Sequence, residues 1–230
     1  RMYALPLSTA RTIRTYTLEA GNVLAPADQM EIPYAFVSEM EFSGKVDEAW
    51  MMSAIWLGQR WVTAPMTGAL SVPAVEPALF GRTRFYGDNS GGTIGTTLVS
   101  GMLLEATIKI ETGIQFVPIG DGNLYPIAHK YVRPRGTFTL AYELEQTGAA
   151  SFVATERSRF QSNAGRLIRL DVPGSSAARN FRIDFYGIYD KFGAYENSDG
   201  NISVKVEGHF GYSSTDSLFA TFTVINNIAS

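Results

Sequence analysis

The sequence predicts a mainly β protein, a β-sandwich or partly closed barrel with one flanking α-helix and a long loop extension. Three observations carry this. Apolar residues recur with period two, as they do where successive side chains of a strand point to opposite faces. Clusters of Gly, Asp and Asn punctuate the short strands. Only one stretch has helical spacing. With 230 residues, 45% of them apolar, the chain can bury one large core. Residues 1–230 are therefore read as a single domain.

In "FVSEMEFSGKV", Phe36, Met40, Phe42 and Val46 are apolar while Glu39, Glu41 and Lys45 fill the alternate positions. One face is buried and the other is wet. The next run, "VDEAWMMSAIWLGQRW", is apolar on both faces and so needs cover on both sides. It is predicted to be a central strand, or one that meets another subunit. Residues 64–100 follow without periodicity; they contain Pro65, Pro73 and Pro77 and end in the Gly-rich "GDNSGGTIG". A compact domain rarely keeps a loop that long unless the loop has a task.

Alternation resumes in "LEATIKIET", where Leu104, Ala106, Ile108 and Ile110 oppose Glu105, Lys109 and Glu111. In "FTLAYELE", Phe138, Leu140, Tyr142 and Leu144 oppose Glu143 and Glu145. "SFVATERSRFQSN" reads as the helix, with Val153 and Phe160 two turns apart and Asn163 and Gly165 as stop signals. "RLIRLDV", "NFRIDFYGIY", "ISVKVEGHF" and "LFATFTVIN" are the remaining strands.

Composition excludes several function classes. The absence of cysteine removes disulfide scaffolds and thiolate metal sites. Nineteen basic against 22 acidic residues give a formal charge of -3, which does not suggest a protein that holds nucleic acid by phosphate neutralisation. The most apolar stretch, "AWMMSAIWLG", is about half a bilayer span, so neither a signal peptide nor a membrane helix is expected. The opening on Arg1 is read as a sign that upstream residues are missing.

Catalytic patterns are sparse. His129 and His209 read as surface residues, and no nucleophile elbow accompanies them. Glu39 with Glu41, and Glu143 with Glu145, place two carboxylates on one strand face about 6.6 Å apart, twice the rise per residue. Glycosidases use pairs at such separations, but alternating Glu is also the ordinary pattern of a solvated strand. "GDNSGGTIG" lacks the Lys-Ser/Thr pair of a phosphate loop. "GDGN" and "SDGN" have too few carboxylates for calcium and read as hairpin turns. Lys130, Arg133, Arg135, Arg157 and Arg159 are read as solvated or subunit-facing. No catalytic residue, cofactor or metal is expected, and the chain is not read as an enzyme.

The stretch "YTLEAGNVLAPADQMEIPYAFVSEMEFSGKVDEAWMMSAIWLGQRW" resembles the front of the tail tube (major tail) proteins of long-tailed bacteriophages. In that family a strand ending in a Ser-Gly step, here Ser43-Gly44, leads into a second long strand with a Gly-Arg-like close, here Gly58-Gln59-Arg60 with one residue inserted. The order of later elements and the closing "DGNISVKVEGHFGYSSTDSLFATFTVIN" are also similar, so the resemblance spans about residues 12–228. It lies in element order and pattern.

The resemblance implies hexameric rings, with inner strands joined into a continuous barrel, stacked into a tube in the virion tail that carries DNA from capsid to host. It implies other tail proteins as partners, assembly in the host cytoplasm and no membrane. Residues 64–100 become the inter-ring stacking loop, with Trp61, Met66, Phe80, Phe85 and Tyr86 as apolar anchors. Glu39, Glu41, Glu105, Glu111, Glu143 and Glu145 become candidates for the lumen, where an acidic or neutral wall lets DNA slide. Two alternatives stand beside this. One is a related ring component, such as a distal tail, terminator or baseplate protein. The other is a carbohydrate-binding or hydrolysing β-sandwich using the Glu pairs and exposed Trp or Tyr.

Overall fold

The structure, a computed structural model, describes residues 2–4, 13–22, 24–68, 75–120, 122, 124–126, 128–144, 149–176, 179–198 and 201–226. Its strands are β1 (Met2–Ala4), β2 (Tyr16–Ala20), β3 (Met30–Lys45), β4 (Met51–Leu57), β5 (Val62–Thr63), β6 (Arg84–Asn89), β7 (Leu98–Val99), β8 (Leu103–Glu111), β9 (Ile114–Val117), β10 (Ala128–Tyr131), β11 (Arg135–Glu143), β12 (Arg166–Pro173), β13 (Asn180–Ser198), β14 (Asn201–Phe210) and β15 (Ala220–Ile225). The helix α1 (Ala149–Ser162) lies between β11 and β12.

Thirteen strands form one antiparallel sheet along the path β2-β3-β8-β11-β14-β13-β12-β6-β7, with β4 and β5 on the other side of β3 and β15 beside β13. β9 and β10 form a separate hairpin. The 19-residue β13 serves two regions: Asn180–Phe185 lies between β12 and β15, whereas Gly187–Ser198 pairs with β14. Aromatic side chains show that the sheet folds back on itself there. Phe42 meets Phe181 at 5.3 Å and Phe222 at 5.5 Å, Phe138 meets Phe185 at 5.2 Å, and Phe85 meets Tyr142 at 5.6 Å. None of these pairs joins hydrogen-bonded neighbours, so two regions of one sheet enclose the core in a sandwich-like manner.

Period-two alternation finds the core correctly. Phe36, Phe42, Ala106, Ile108, Ile110, Phe138, Leu140 and Tyr142 are all buried. Val46 lies just past β3 and is exposed. The helix forms where expected: Val153 is fully buried, Phe160 packs 6.1 Å from Phe192, and Asn163 ends the helix at φ 53°.

The apolar run at 51–57 is not a central strand of this subunit. Among the described residues β4 pairs with β3 alone, and Met51, Met52, Ile55 and Trp56 are exposed. The alternative, a strand that meets another subunit, stays open.

Residues 64–100 are not one continuous loop. β6 lies within them and pairs with β12 from Arg84↔Asp171 to Asn89↔Arg166. Phe80 and Phe85, expected as inter-ring anchors, are each 2% exposed in the subunit's own core. The Phe80 ring lies tilted against Trp50, 5.2 Å between centroids. The strand escapes a pattern search because it is short and carries Gly87, where a Cβ would lie 2.5 Å from the Arg166 guanidinium. Beyond it, the Gly-rich tip closes on a carboxylate of the chain itself. Asp88 accepts hydrogen bonds from the N–H groups of Gly95, Thr96 and Thr97 and from the Thr96 hydroxyl. Burial raises its pKa, but these bonds more than offset that and hold it below the ordinary value.

The front of the segment is tied down by Glu76, which accepts bonds from the Ser175 N–H and hydroxyl at 2.7 Å each and from Arg179 at 3.0 Å. The Ser175 hydroxyl and Arg179 lower its pKa from 4.5 to about 2. A depressed carboxylate contributes stability above its unfolded pKa and loses it as pH falls through its folded pKa. The contribution should therefore vanish between pH 4.5 and about 2. In that window Glu76→Gln should melt with a shallower pH dependence than the parent. Equal acid slopes would show that the clamp does not couple to folding.

Candidate assembly edge and charged sheet face

The outward face of β3, β8, β11 and β14 follows directly from register. Glu39 lies opposite Glu111, which lies opposite Arg135; Glu41, Lys109, Thr137 and His209 form the next row. Ser43, Thr107, Thr139 and Glu207 follow, then Lys45, Glu105, Ala141 and Lys205. Glu143 stands opposite Ser203 on the same face. The structure thus brings Glu39, Glu41, Glu105, Glu111 and Glu143 together, while Glu145 lies outside the described residues.

This face is mixed rather than purely acidic. Lys109 Nζ sits 2.9 Å from Glu39, Lys205 Nζ 3.7 Å from Glu105, and Lys191 Nζ 3.1 Å from Glu207. Glu39, followed by Glu111 and Glu41, raises the Lys109 pKa. Each of these lysines already faces a carboxylate, which weakens its pull on an outside phosphate. The Glu39–Glu41 pair has the same commitment, since Glu39 is engaged by Lys109.

β4 forms the margin of that face. In register, Met51, Ser53 and Ile55 lie opposite Ser43, Glu41 and Glu39 on the charged side, whereas Met52 and Ala54 lie opposite Phe42 and Met40 on the core side. Met51 is 65% exposed and Met52 63%. Among the described residues no strand pairs with the outer edge of β4. An open edge with large apolar side chains and no charge is a template for pairing with another chain.

Apolar exposure continues where β3 extends past β8. Tyr16 meets Trp56 edge-on at 5.8 Å, and Arg60 lies 5.4 Å over Tyr125. Trp61 is 64% exposed, consistent with a surface residue at the root of the segment. Met66 is half-buried, its N–H donating to Gln29 Oε1 at 3.1 Å. Tyr86 is half-buried on β6, opposite Arg169. Of the five expected anchors, Trp61 alone is strongly exposed. Tyr34 takes φ 56° where the β2–β3 register shifts, and its hydroxyl meets His129 Nδ1 at 2.7 Å. His209 pairs instead with Asp190 at 2.8 Å.

One buried polar cluster carried no sequence signal. Glu156, on α1 and fully buried, accepts from the Arg166 guanidinium and, at 2.5 Å, from the Tyr189 hydroxyl. Arg166 also donates to the Gly87 carbonyl and lies 5.1 Å from the Phe152 ring. Burial raises the Tyr189 pKa, keeping the phenol a donor. This cluster fastens the helix to the sheet.

Among the described residues no group of His, Asp or Glu is arranged to hold a metal ion, and no helix is long and apolar enough to cross a membrane. No protein-family model matches the chain, and no curated protein matches it either.

Proposed function

We propose that the protein is a structural subunit of a bacteriophage tail tube, which assembles through β4 into rings and stacks them into a conduit for DNA. The observation that carries this reading is β4, an open edge strand with large apolar side chains on both faces, bordering a sheet whose outer face is charged. A subunit working alone gains nothing from such an edge. Covering it with a neighbour removes apolar area from water at about 25 cal/mol per Å² and pairs the free backbone groups.

The charged face then lines the channel. Carboxylates outnumber cations on β3, β8, β11 and β14, and Lys109 and Lys205 are held by glutamates. Duplex DNA binds by releasing counterions against free Lys and Arg, so a wall where carboxylates exceed cations and two of the lysines are engaged holds it weakly. Stacking falls to the apolar end around Trp61, Trp56 and Tyr125 rather than to residues 64–100 as a whole.

Sedimentation velocity and negative-stain micrographs of the concentrated chain test this proposal. Hollow rings and tubes are expected. Single rings that never stack would assign the chain to a ring component of the tail, and a monomer at every concentration would overturn the reading.

A further inference from the structure

We infer that the cavity between the ends of β12, β13 and β15 binds a fatty acid, its chain against the apolar wall and its carboxylate on Arg179 and Arg82. The site is separate from β4, and its occupation does not require the chain to form rings. One wall is the last core-facing row of three strands, in which Val172 lies opposite Phe181 and Phe181 opposite Val224. On its inner side this row meets the closed core, where Phe42 lies 5.3 Å and Trp50 6.1 Å from the Phe181 ring. The other wall is the segment Val75–Ala78, fixed at one end by the Ala78 carbonyl, which accepts from the Trp50 N–H at 2.7 Å, and near the other by Glu76. Between them lies a cavity of about 520 Å³. That is within the range of small-ligand sites, roughly 300–1,000 Å³.

The lining decides what fits. Val75, Pro77, Val172, Phe181, Val224 and Ile225 are apolar and mostly aliphatic, and the Asn180 amide nitrogen is committed to Asp171 at 3.1 Å. A sugar would give up its hydrogen bonds to water against such a wall without replacing them. A hydrocarbon chain has none to give up. The charged lining residues are Glu76 and Arg179, 3.0 Å apart, and Arg82 approaches the same carboxylate to 3.4 Å. Two guanidinium groups on one carboxylate leave a net positive charge beside an apolar cavity. The Ser175 hydroxyl and Arg179 hold the Glu76 pKa at about 2, so this balance persists through neutral pH. The Arg179 and Arg82 side chains stay 36% and 47% exposed, which leaves N–H donors for a ligand carboxylate, a planar anion that matches the guanidinium fork.

Isothermal titration calorimetry of the dilute, intact chain with dodecanoate, below the concentration at which it forms micelles, tests the site. One molecule should bind per chain. Dodecanol and dodecyltrimethylammonium, which keep the hydrocarbon chain but lack the anion, should bind at least ~10-fold more weakly. Arg82→Met, a change at an exposed side chain, should weaken dodecanoate about 3- to 5-fold and leave dodecanol as it is. Val224→Trp, which fills the cavity from its wall, should abolish binding of both, with circular dichroism melting as the check on folding. A dodecanoate carrying a diazirine at the end of its chain should label Val172 or Phe181 in the parent protein, a readout that needs no variant. Equal affinity for the three head groups, or labelling centred on the exposed residues of β4, would show adhesion to any apolar surface and overturn the inference. Absence of binding would overturn it as well. Tubes in micrographs without binding would remove the site alone, and binding by a chain that never assembles would remove the proposed function alone.

Discussion

Replacing Met52 and Ile55 together with lysine is expected to leave the subunit folded and to abolish assembly. The two residues occupy opposite faces of β4, and both are more than half exposed, so each lysine can reach water in the free subunit. Exposed substitutions of this kind usually change stability by less than about 0.5 kcal/mol. In the assembled state the same ammonium groups enter an apolar joint without partners, and lysine on an edge strand is a common natural block to pairing. The concentration at which assembly begins should rise at least ~100-fold, equivalent to about 3 kcal/mol per joint. Circular dichroism and thermal melting check the fold, and sedimentation velocity checks assembly. A doubly substituted chain assembling at the parent concentration would remove β4 from the interface.

Arg166→Met should produce the largest loss of stability. It leaves the fully buried Glu156 carboxylate with the Tyr189 hydroxyl and with Arg159, whose Nε lies 3.6 Å away, but without the guanidinium that hydrogen-bonds it, and deprives the Gly87 carbonyl of a donor. Breaking a buried ion pair from one side costs about 3–5 kcal/mol, whereas replacing both partners with apolar residues is often close to neutral. For a chain of this size the single change should lower Tm by roughly 10 °C. Adding Glu156→Leu should recover most of the loss, because the stranded charge goes with it. If the double variant melts no higher than the single one, the damage comes from packing around α1 rather than from the unpaired carboxylate.

How far the fold is readable from sequence depends on what each segment faces. β8 and β11 are unambiguous because one side meets the core and the other meets water, so Ile108 and Leu140 alternate cleanly with Lys109 and Thr139. The same alternation groups the glutamates on one face. It does not show that Lys109 and Lys205 engage them, since that depends on which strands are neighbours. β4 is apolar on both sides, a pattern shared by a buried strand and an interface edge, and pairing alone separates the two. β6 looks like loop because its glycine makes room for Arg166, supplied from β12. Glu156 resembles any acidic residue on a surface helix until Arg166 and Tyr189 come together from distant positions in the chain.

An image reconstruction of the assembled protein tests the central proposal most directly, because it shows which face of the sheet points toward the axis. The account predicts a channel walled by β3, β8, β11 and β14, with Glu41, Lys109 and Thr139 turned inward and the outer edge of β4 paired with a neighbouring subunit. A reconstruction with that face on the outside, or with the β4 edge open to solvent, would contradict it.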